Sequence, residues 1–173
     1  MPQDERDRVR GYLLAQGEKY GYVEMWPRTV RGRLQLLDAI AAVNEAQARF
    51  RAASDQWSIA EIAQHILKAS TANRRIVEAL AGGGGADGAR VDPPPEPTER
   101  TIDDLRRALL EDAVEWSALT RRLPAQPSFS ALAPHPFFGD LHSRAWFLFQ
   151  RTHDIDHANQ VGQVKEAAGY PAD

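Results

Sequence analysis

A strong helix signal runs through residues 58–85, which read Ser58-Ile-Ala-Glu-Ile-Ala-Gln-His-Ile-Leu-Lys-Ala-Ser-Thr-Ala-Asn-Arg-Arg-Ile-Val-Glu-Ala-Leu-Ala-Gly-Gly-Gly-Gly85. Ser58 and Glu61 form the capping-box pattern, in which the serine accepts from an early amide and the glutamate reaches back to the cap. The four glycines at the end favour termination of a helix. Residues at helical spacing predict a single buried face: Ile59, Ile62, Ile66, Ala69, Asn73, Ile76, Val77 and Leu80.

Three other segments of the chain show the same helical period. Residues 28–43 carry a stripe made of Val30, Leu34, Leu37 and either Ile40 or Ala41. A helix beginning at Thr101 and ending near Leu123 carries Leu105, Leu109, Ala113, Trp116 and Leu119 or Thr120. Gly139-Asp140 is expected to open the last helix, which runs to about Ala168. Four amphipathic helices without an alternating strand pattern predict an all-α four-helix bundle.

The remaining segments are expected to be accessory. Residues 4–24 predict an additional N-terminal helix, weakened by its glycines, and Pro27 is expected to kink or restart the helix that follows. Residues 44–47 read as a capped helical turn. The Gly- and Pro-rich residues 82–100 predict a long, mobile internal loop, and the Pro-rich residues up to Phe138 a second loop. We expect residues 1–173 to form one domain.

Composition excludes several classes of function. The chain of 173 residues has a net charge of −3 and no cysteine, so it has no disulfides, thiolate nucleophiles or sulfur-ligated metal. The arginines at 28, 31 and 33 are offset by acidic neighbours and read as a solvated helix face, so no nucleic acid is expected as a partner. No apolar run is long enough to cross a membrane. The charged start lacks the pattern of a signal peptide, and we expect a cytoplasmic protein.

The last predicted helix carries the most informative side chains. Its inner face holds His142, Trp146, Phe149, His153, His157, Gln160 and Val164. His153 and His157 are one turn apart, which lets both imidazoles point at one metal ion. Bundles place such sites between facing helices, and His65 on the strongly capped helix is the natural third ligand. Three neutral imidazoles with an open position match a catalytic type of zinc site.

A paired polar patch of the core, without metal, is the other interpretation of these histidines. His135 reads as a structural or exposed loop residue, and His142 as packing at the end of the bundle. Asp154 and Asp156 read as surface charges, and Glu61 as the capping partner of Ser58. The aromatic residues are interpreted as core rather than as a pocket: Trp57, Trp116, Trp146, Phe137 and Phe138. Because the segment reads His-Asp-Ile-Asp-His, it departs from the zinc-protease motif.

Two motifs give the chain a resemblance to the DinB/YfiT superfamily of metalloenzymes. The first is Trp57-Ser-Ile-Ala-Glu-Ile-Ala-Gln-His65-Ile-Leu. The second is His135-Pro-Phe-Phe-Gly139, followed by Trp146 and then by His153, His157 and Gln160. Their order and spacing also resemble the family, and the resemblance covers residues 25–162.

The resemblance implies a DinB-type bundle, a divalent metal on His65, His153 and His157, and a homodimer. Family members include transferases and isomerases that use bacillithiol or mycothiol. We therefore expect a metal-dependent enzyme that holds zinc or nickel and acts on a small molecule, as a thiol-dependent S-transferase or a hydrolase. A non-catalytic bundle that binds metal or ligand is the alternative. Asp156 departs from the family, which often has arginine before the last histidine, so no substrate is carried over.

Overall fold

The computed structural model describes residues 2–86, 94 and 96–172. The described part of the chain contains six helices and one hairpin. The helices are α1 (Gln3–Lys19), α2 (Tyr22–Ile40), α3 (Glu45–Arg49), α4 (Ile59–Ala81), α5 (Ile102–Arg122) and α6 (Ser143–Glu166), and the strands are β1 (Leu132–His135) and β2 (Gly139–His142).

The four long helices α2, α4, α5 and α6 pack in a closed ring. Helix α6 lies against α2 and α4, and α5 contacts the same two helices. Helix α1 packs along α6 at the outside of this ring. The expected all-α bundle with an additional N-terminal helix is therefore confirmed.

The chain breaks between α1 and α2 earlier than the sequence indicated. Gly21 is extended at the N-cap of α2, and its amide donates to the Glu24 carboxylate at 2.8 Å. Helix α2 thus begins at Tyr22 instead of Arg28, and Pro27 lies inside it. The prediction of a single helix over residues 4–24 was wrong, because two helices meet at Gly21.

The buried face of α2 also differs in phase from the predicted stripe. Leu34 is 53% exposed, whereas Leu36 and Ile40 are fully buried. Gly32 lies against the α6 backbone and Arg33 is buried beside it, so α2 turns this side inward. The predicted helical period was right. The apolar pattern, however, assigned Leu34 to the buried face in place of Gly32 and Arg33.

Both predicted capping boxes are present. The Ser58 hydroxyl accepts from the Glu61 amide at 3.3 Å, and the Glu61 carboxylate accepts from the Ser58 amide at 2.9 Å. Asn44 and Gln47 exchange the equivalent pair of bonds at the start of α3, each at 3.0 Å. The first capping box fixes the beginning of α4 at Ile59, nearly two turns before His65.

A hairpin replaces the end of the predicted second loop and the beginning of the predicted last helix. Strands β1 and β2 pair antiparallel, with Leu132 opposite His142 and His135 opposite Gly139. Gly139 has a φ of +65°, which glycine adopts without strain. Helix α6 therefore begins at Ser143, and the expected start at Gly139 was wrong. Of the other predicted loop, 82–100, residues 87–93 and 95 lie outside the described residues.

The apolar core falls into two clusters along the bundle axis. One contains Trp116 and Trp146, and the other contains Leu36 and Leu105. Each long helix contributes polar residues between its two apolar ends: Thr29, Arg33, Ser70, Asn73, Asp112, Gln150 and Asp154, which we call the polar layer. Trp116, Trp146 and Phe138 are core residues as expected, whereas Phe137 is 49% exposed.

No helix among the described residues is long and apolar enough to cross a membrane.

Candidate metal centre

Three histidines from two helices meet between α4 and α6. His65 comes from the second turn of α4, and His153 and His157 lie one turn apart on α6. The Nε2 atom of His153 is 3.2 Å from the Nε2 of His65 and 3.2 Å from the Nε2 of His157. One nitrogen from each ring lies within 4.8 Å of the other two, so the group could hold a metal ion.

The spacing of these nitrogens fits a metal ion bound by imidazoles. Zinc–nitrogen bonds of roughly 2.0–2.1 Å separate two ligands by about 3.3 Å in a tetrahedral site and about 3 Å at adjacent octahedral positions. The two observed separations of 3.2 Å lie between these values. The donor set therefore suits a divalent ion, and its geometry alone does not select one coordination number.

The surroundings of His153 favour the neutral imidazole that metal binding requires. Burial lowers the pKa of His153 well below its usual value, and the neighbouring His157, His65 and Arg33 add to this effect. Protonating His153 would place a charge among other cations in an apolar environment. The His153 ring therefore favours the neutral form, which has a lone pair to offer a metal.

The orientation of each ring comes from its immediate neighbours. The Nδ1–H of His157 donates to the Gln160 side-chain oxygen at 2.7 Å, which leaves Nε2 as the acceptor nitrogen. The Trp57 ring is stacked on His157 and lies edge-on to His65. Phe149 packs beside His153, whose buried Nδ1 has no hydrogen-bond partner among the described residues. Packing therefore orients His153, whereas an amide also orients His157.

The polar layer lies directly beside the three histidines. Arg33, 2% exposed, donates to Asp154 at 3.1 Å and to Asp112 at 2.7 Å. Asp154 also accepts from Gln150 at 2.9 Å. Burial raises the pKa of Asp154, and Arg33 opposes that shift. Because Asp154 follows His153 on α6, this ion pair ties the ligand-bearing turn of α6 to α2 and α5.

The surface roles expected for Asp154 and Arg33 are therefore wrong. Asp154 is 1% exposed. Neither residue stood out in the sequence because charged residues are almost never fully buried unless they are paired. Their burial could have been predicted from their spacing, since each residue falls on the core face of its helix.

His135 and His142 lie outside the group of three. His135 is buried, and its Nδ1 accepts from the amides of Phe137 and Phe138 at 3.1 and 3.3 Å, which holds the turn of the hairpin. His142 caps α6, with Nδ1 accepting from the Ala145 amide at 3.2 Å. Both are structural residues. The sequence predicted only a packing role for His142, whereas its side chain also caps α6.

Glu61 is occupied away from the histidines. Its carboxylate closes the capping box with Ser58 and forms an ion pair with Arg51. The sequence interpretation of Glu61 as a capping residue is therefore correct. Asp156 is exposed beside His157, and burial of part of its side chain raises the pKa of its carboxyl.

A family model described as the DinB superfamily matches residues 28–161. The chain belongs to the DinB superfamily. This confirms the resemblance carried by the two histidine motifs. Neither the comparison with curated proteins nor the comparison with solved structures found a match.

The DinB match extends from within α2 to within α6, so it includes all three histidines and the hairpin. Helix α1 lies before it. Helix α1 packs on α6 from outside the matched segment.

Proposed function

We propose that this protein is a divalent-metal-dependent enzyme whose metal is held by His65, His153 and His157. The observation that carries the proposal is the convergence of three Nε2 atoms, two pairs of them 3.2 Å apart, around a His153 whose surroundings favour the neutral ring. A bound divalent ion would supply Lewis acidity toward a substrate thiol, water or oxyanion. Zinc and nickel are the proposed ions, because both accept imidazole ligands.

We place thiol-dependent S-transfer to a small molecule ahead of hydrolysis. Hydrolysis of an unreactive bond usually needs a positioned base, and Glu61 is bound to Arg51 and Ser58. A thiol nucleophile depends less on a protein base, since it loses its proton far more readily than water does. In the transfer, the S–H proton leaves to solvent, sulfur forms a bond to an electrophilic carbon, and the leaving group departs with its electron pair.

The residues around the histidines would then bind and orient rather than exchange protons. Trp57 lies against two of the three rings and offers an apolar wall beside the reacting centre. Gln160 holds the tautomer of His157. The ion pair of Arg33 with Asp154 keeps the turn that carries His153 in place.

The family resemblance supports a dimer, and the charged start of the sequence supports a cytoplasmic location. We propose that the enzyme is a homodimer and that it works in the cytoplasm, where low-molecular-weight thiols are available. Sedimentation of the purified full chain would measure the first, and fractionation of the source cells the second.

A non-catalytic bundle that binds metal or ligand is the second candidate. The observation that favours it is the engagement of Glu61 with Ser58. Among the described residues, the exposed Asp156 is then the one free carboxylate beside the histidines. In this case the metal would join α4 to α6 without turnover.

Elemental analysis of the untagged protein tests the first candidate. We expect close to one zinc or nickel per chain, lost in a folded His153→Ala/His157→Ala variant. The matched control is His142→Asn, which removes an imidazole from the start of the same helix but keeps a good capping residue. It should keep its metal.

Turnover then separates the two candidates. The metal-loaded protein would be assayed with cysteine or another small thiol and a chromogenic aryl halide. Metal-dependent release of halide supports the S-transferase. Bound metal without turnover of any thiol or ester substrate favours the non-catalytic bundle. A parent protein that binds neither ion would contradict the enzyme and leave only a bundle that binds a ligand without metal.

A further inference from the structure

A second cleft lies at the other end of α6 from the histidines. It has a volume of about 570 Å³ and is bordered by the α1–α2 junction, the end of α5 and the start of α6. This volume is in the range of small-molecule pockets. Arg144, which borders the cleft, precedes His153 by nine residues, or about 13 Å along the helix axis at 1.5 Å per residue. The cleft is thus separate from the candidate metal centre.

The cleft has an excess of positive charge. Of the described residues that border it, three are cationic, Lys19, Arg121 and Arg144, and one, Glu24, is a carboxylate. The Glu24 carboxylate is engaged by the Gly21 amide at 2.8 Å. Three cations against one carboxylate leave the border of the cleft net positive, which favours an anionic ligand.

Arg144 carries the strongest signal because it is buried without a carboxylate partner. It is 9% exposed, and its guanidinium donates to two backbone carbonyls, those of Gly17 and Ala125. Its Nε is buried and has no hydrogen-bond partner in the part of the chain that the structure describes. No ion pair among the described residues includes Arg144, although buried charges are usually paired. The guanidinium also lies over the rings of Tyr22 and Phe129, 5.6 and 5.3 Å from their centroids. These contacts supply no full negative charge, and an anion in the cleft would.

The start of α2 adds to the same field. Residues 21–24 border the cleft, and Gly21 has no side chain that could cap the first amides of this 19-residue helix. The positive end of a helix dipole therefore faces the cleft together with the three cations. Tyr22, Val23 and Leu123 give it apolar walls.

We propose that this cleft binds a small phosphate monoester. A phosphate carries nearly two negative charges near pH 7, which matches three cations and a helix start better than one carboxylate does. The apolar walls leave room for an organic group beside the phosphate. This ligand is independent of the proposed metal and of its chemistry.

Titration calorimetry of the metal-loaded full chain with phenyl phosphate tests the proposal, with inorganic phosphate and benzoate as comparison ligands. We expect phenyl phosphate to bind most tightly. Arg121→Ala should weaken it at least about tenfold through loss of a charge-assisted contact. The matched control is Arg122→Ala, which removes the same charge from the next residue, where the side chain pairs with Glu78. It should leave binding unchanged. Lys19→Ala is a second exposed variant and should also weaken binding.

The His153→Ala/His157→Ala variant separates this cleft from the metal, and it should bind phenyl phosphate as the parent does. Loss of binding in that variant would assign the anion to the metal and overturn the proposal. Equal losses in Arg121→Ala and Arg122→Ala would indicate nonspecific charge attraction. Tighter binding of benzoate, or inorganic phosphate binding as well as the ester, would overturn the assignment to a phosphate monoester. Absence of binding by all three ligands would leave Arg144 a structural residue.

Discussion

Asp154 and Asp156 have the same side chain and lie two residues apart on α6, but their surroundings differ. Asp154 is 1% exposed and paired with Arg33, whereas Asp156 is exposed. The first is part of the polar layer, and the second lies at the surface beside His157. This contrast allows the contribution of the buried ion pair to be measured against a matched residue.

We expect Asp154→Asn to lower the free energy of unfolding by about 3–5 kcal/mol, because Arg33 keeps its buried charge and loses one of its two carboxylates. Asp156→Asn should change it by less than about 0.5 kcal/mol. Urea unfolding of both metal-free variants measures the difference. Similar effects at the two positions would show that the polar layer does not depend on this pair.

His135 makes stability depend on pH. Burial lowers the pKa of His135 from the ordinary 6.5 to about 4, so the folded protein resists its protonation. Between these values the unfolded chain binds more protons than the folded one. Stability is therefore complete above pH 6.5 and is lost progressively as the pH falls toward 4.

A His135→Asn variant isolates this effect, since the amide oxygen can accept from the backbone amides that now reach Nδ1. The variant should be less stable than the parent at pH 7. Its deficit should shrink on acidification by up to about 1.4 kcal/mol per pH unit, which is the free energy of one proton. Urea unfolding between pH 5 and 7 gives this difference. A deficit that does not vary with pH would contradict titration of His135.

At the scale of the helices, the position of α6 depends on the close approach of its backbone to the backbones of α1 and α2. A Cβ on Gly32 would lie 2.8 Å from the carbonyl oxygen of Arg151, and one on Gly17 would lie 3.0 Å from the amide nitrogen of Ala145. Both contacts are with α6 backbone, which cannot rotate away. The glycines that weaken α1 and α2 as isolated helices therefore allow them to pack against the helix that carries two of the histidines.

Gly32→Ala should destabilise the fold by about 1–3 kcal/mol, because α2 and α6 would have to separate. It should also weaken metal binding, since Arg151 lies two residues before His153. Gly11→Ala is the matched control: a Cβ there meets nothing within 4 Å. It should stabilise α1 by up to about 1 kcal/mol. Thermal unfolding compares the two, and a stabilising Gly32→Ala would rule out the close contact.

The existence of each long helix followed from the sequence, but the rotation of α2 about its axis did not. A period of 3.6 residues fits a stripe through Leu34 nearly as well as one through Arg33 and Leu36. The hairpin at 132–142 was missed because its strands have four residues each, too short to show an alternating pattern. Capping boxes, by contrast, were found correctly, since they depend on contacts only three residues apart.

At the scale of the whole molecule, the proposed metal would join two helices that are far apart in the chain. His65 is on α4 and the other two histidines are on α6. Zinc or nickel should therefore stabilise the folded state, by about 2.7 kcal/mol when free metal is 100 times its dissociation constant. Because unfolded chains lack the converged site, the melting temperature should rise with metal concentration.

Differential scanning calorimetry with increasing zinc measures this stabilisation. The parent and the Asp156→Asn variant should respond alike, because Asp156 is not one of the three converging ligands. The His153→Ala/His157→Ala variant should not respond. A melting temperature that rises equally in that variant would place the metal elsewhere on the protein.

The sequence by itself determined the helical class, the caps of α3 and α4, and the three histidines as a set, because these depend on short-range spacing and side-chain chemistry. Only the tertiary structure decided which charged residues are buried. Arg33, Asp112 and Asp154 come from three helices, and their charges are tolerated in the core because they meet there. The cleft beside Arg144 likewise arises where α1, α2, α5 and α6 end or begin together, a juxtaposition that no local pattern contains.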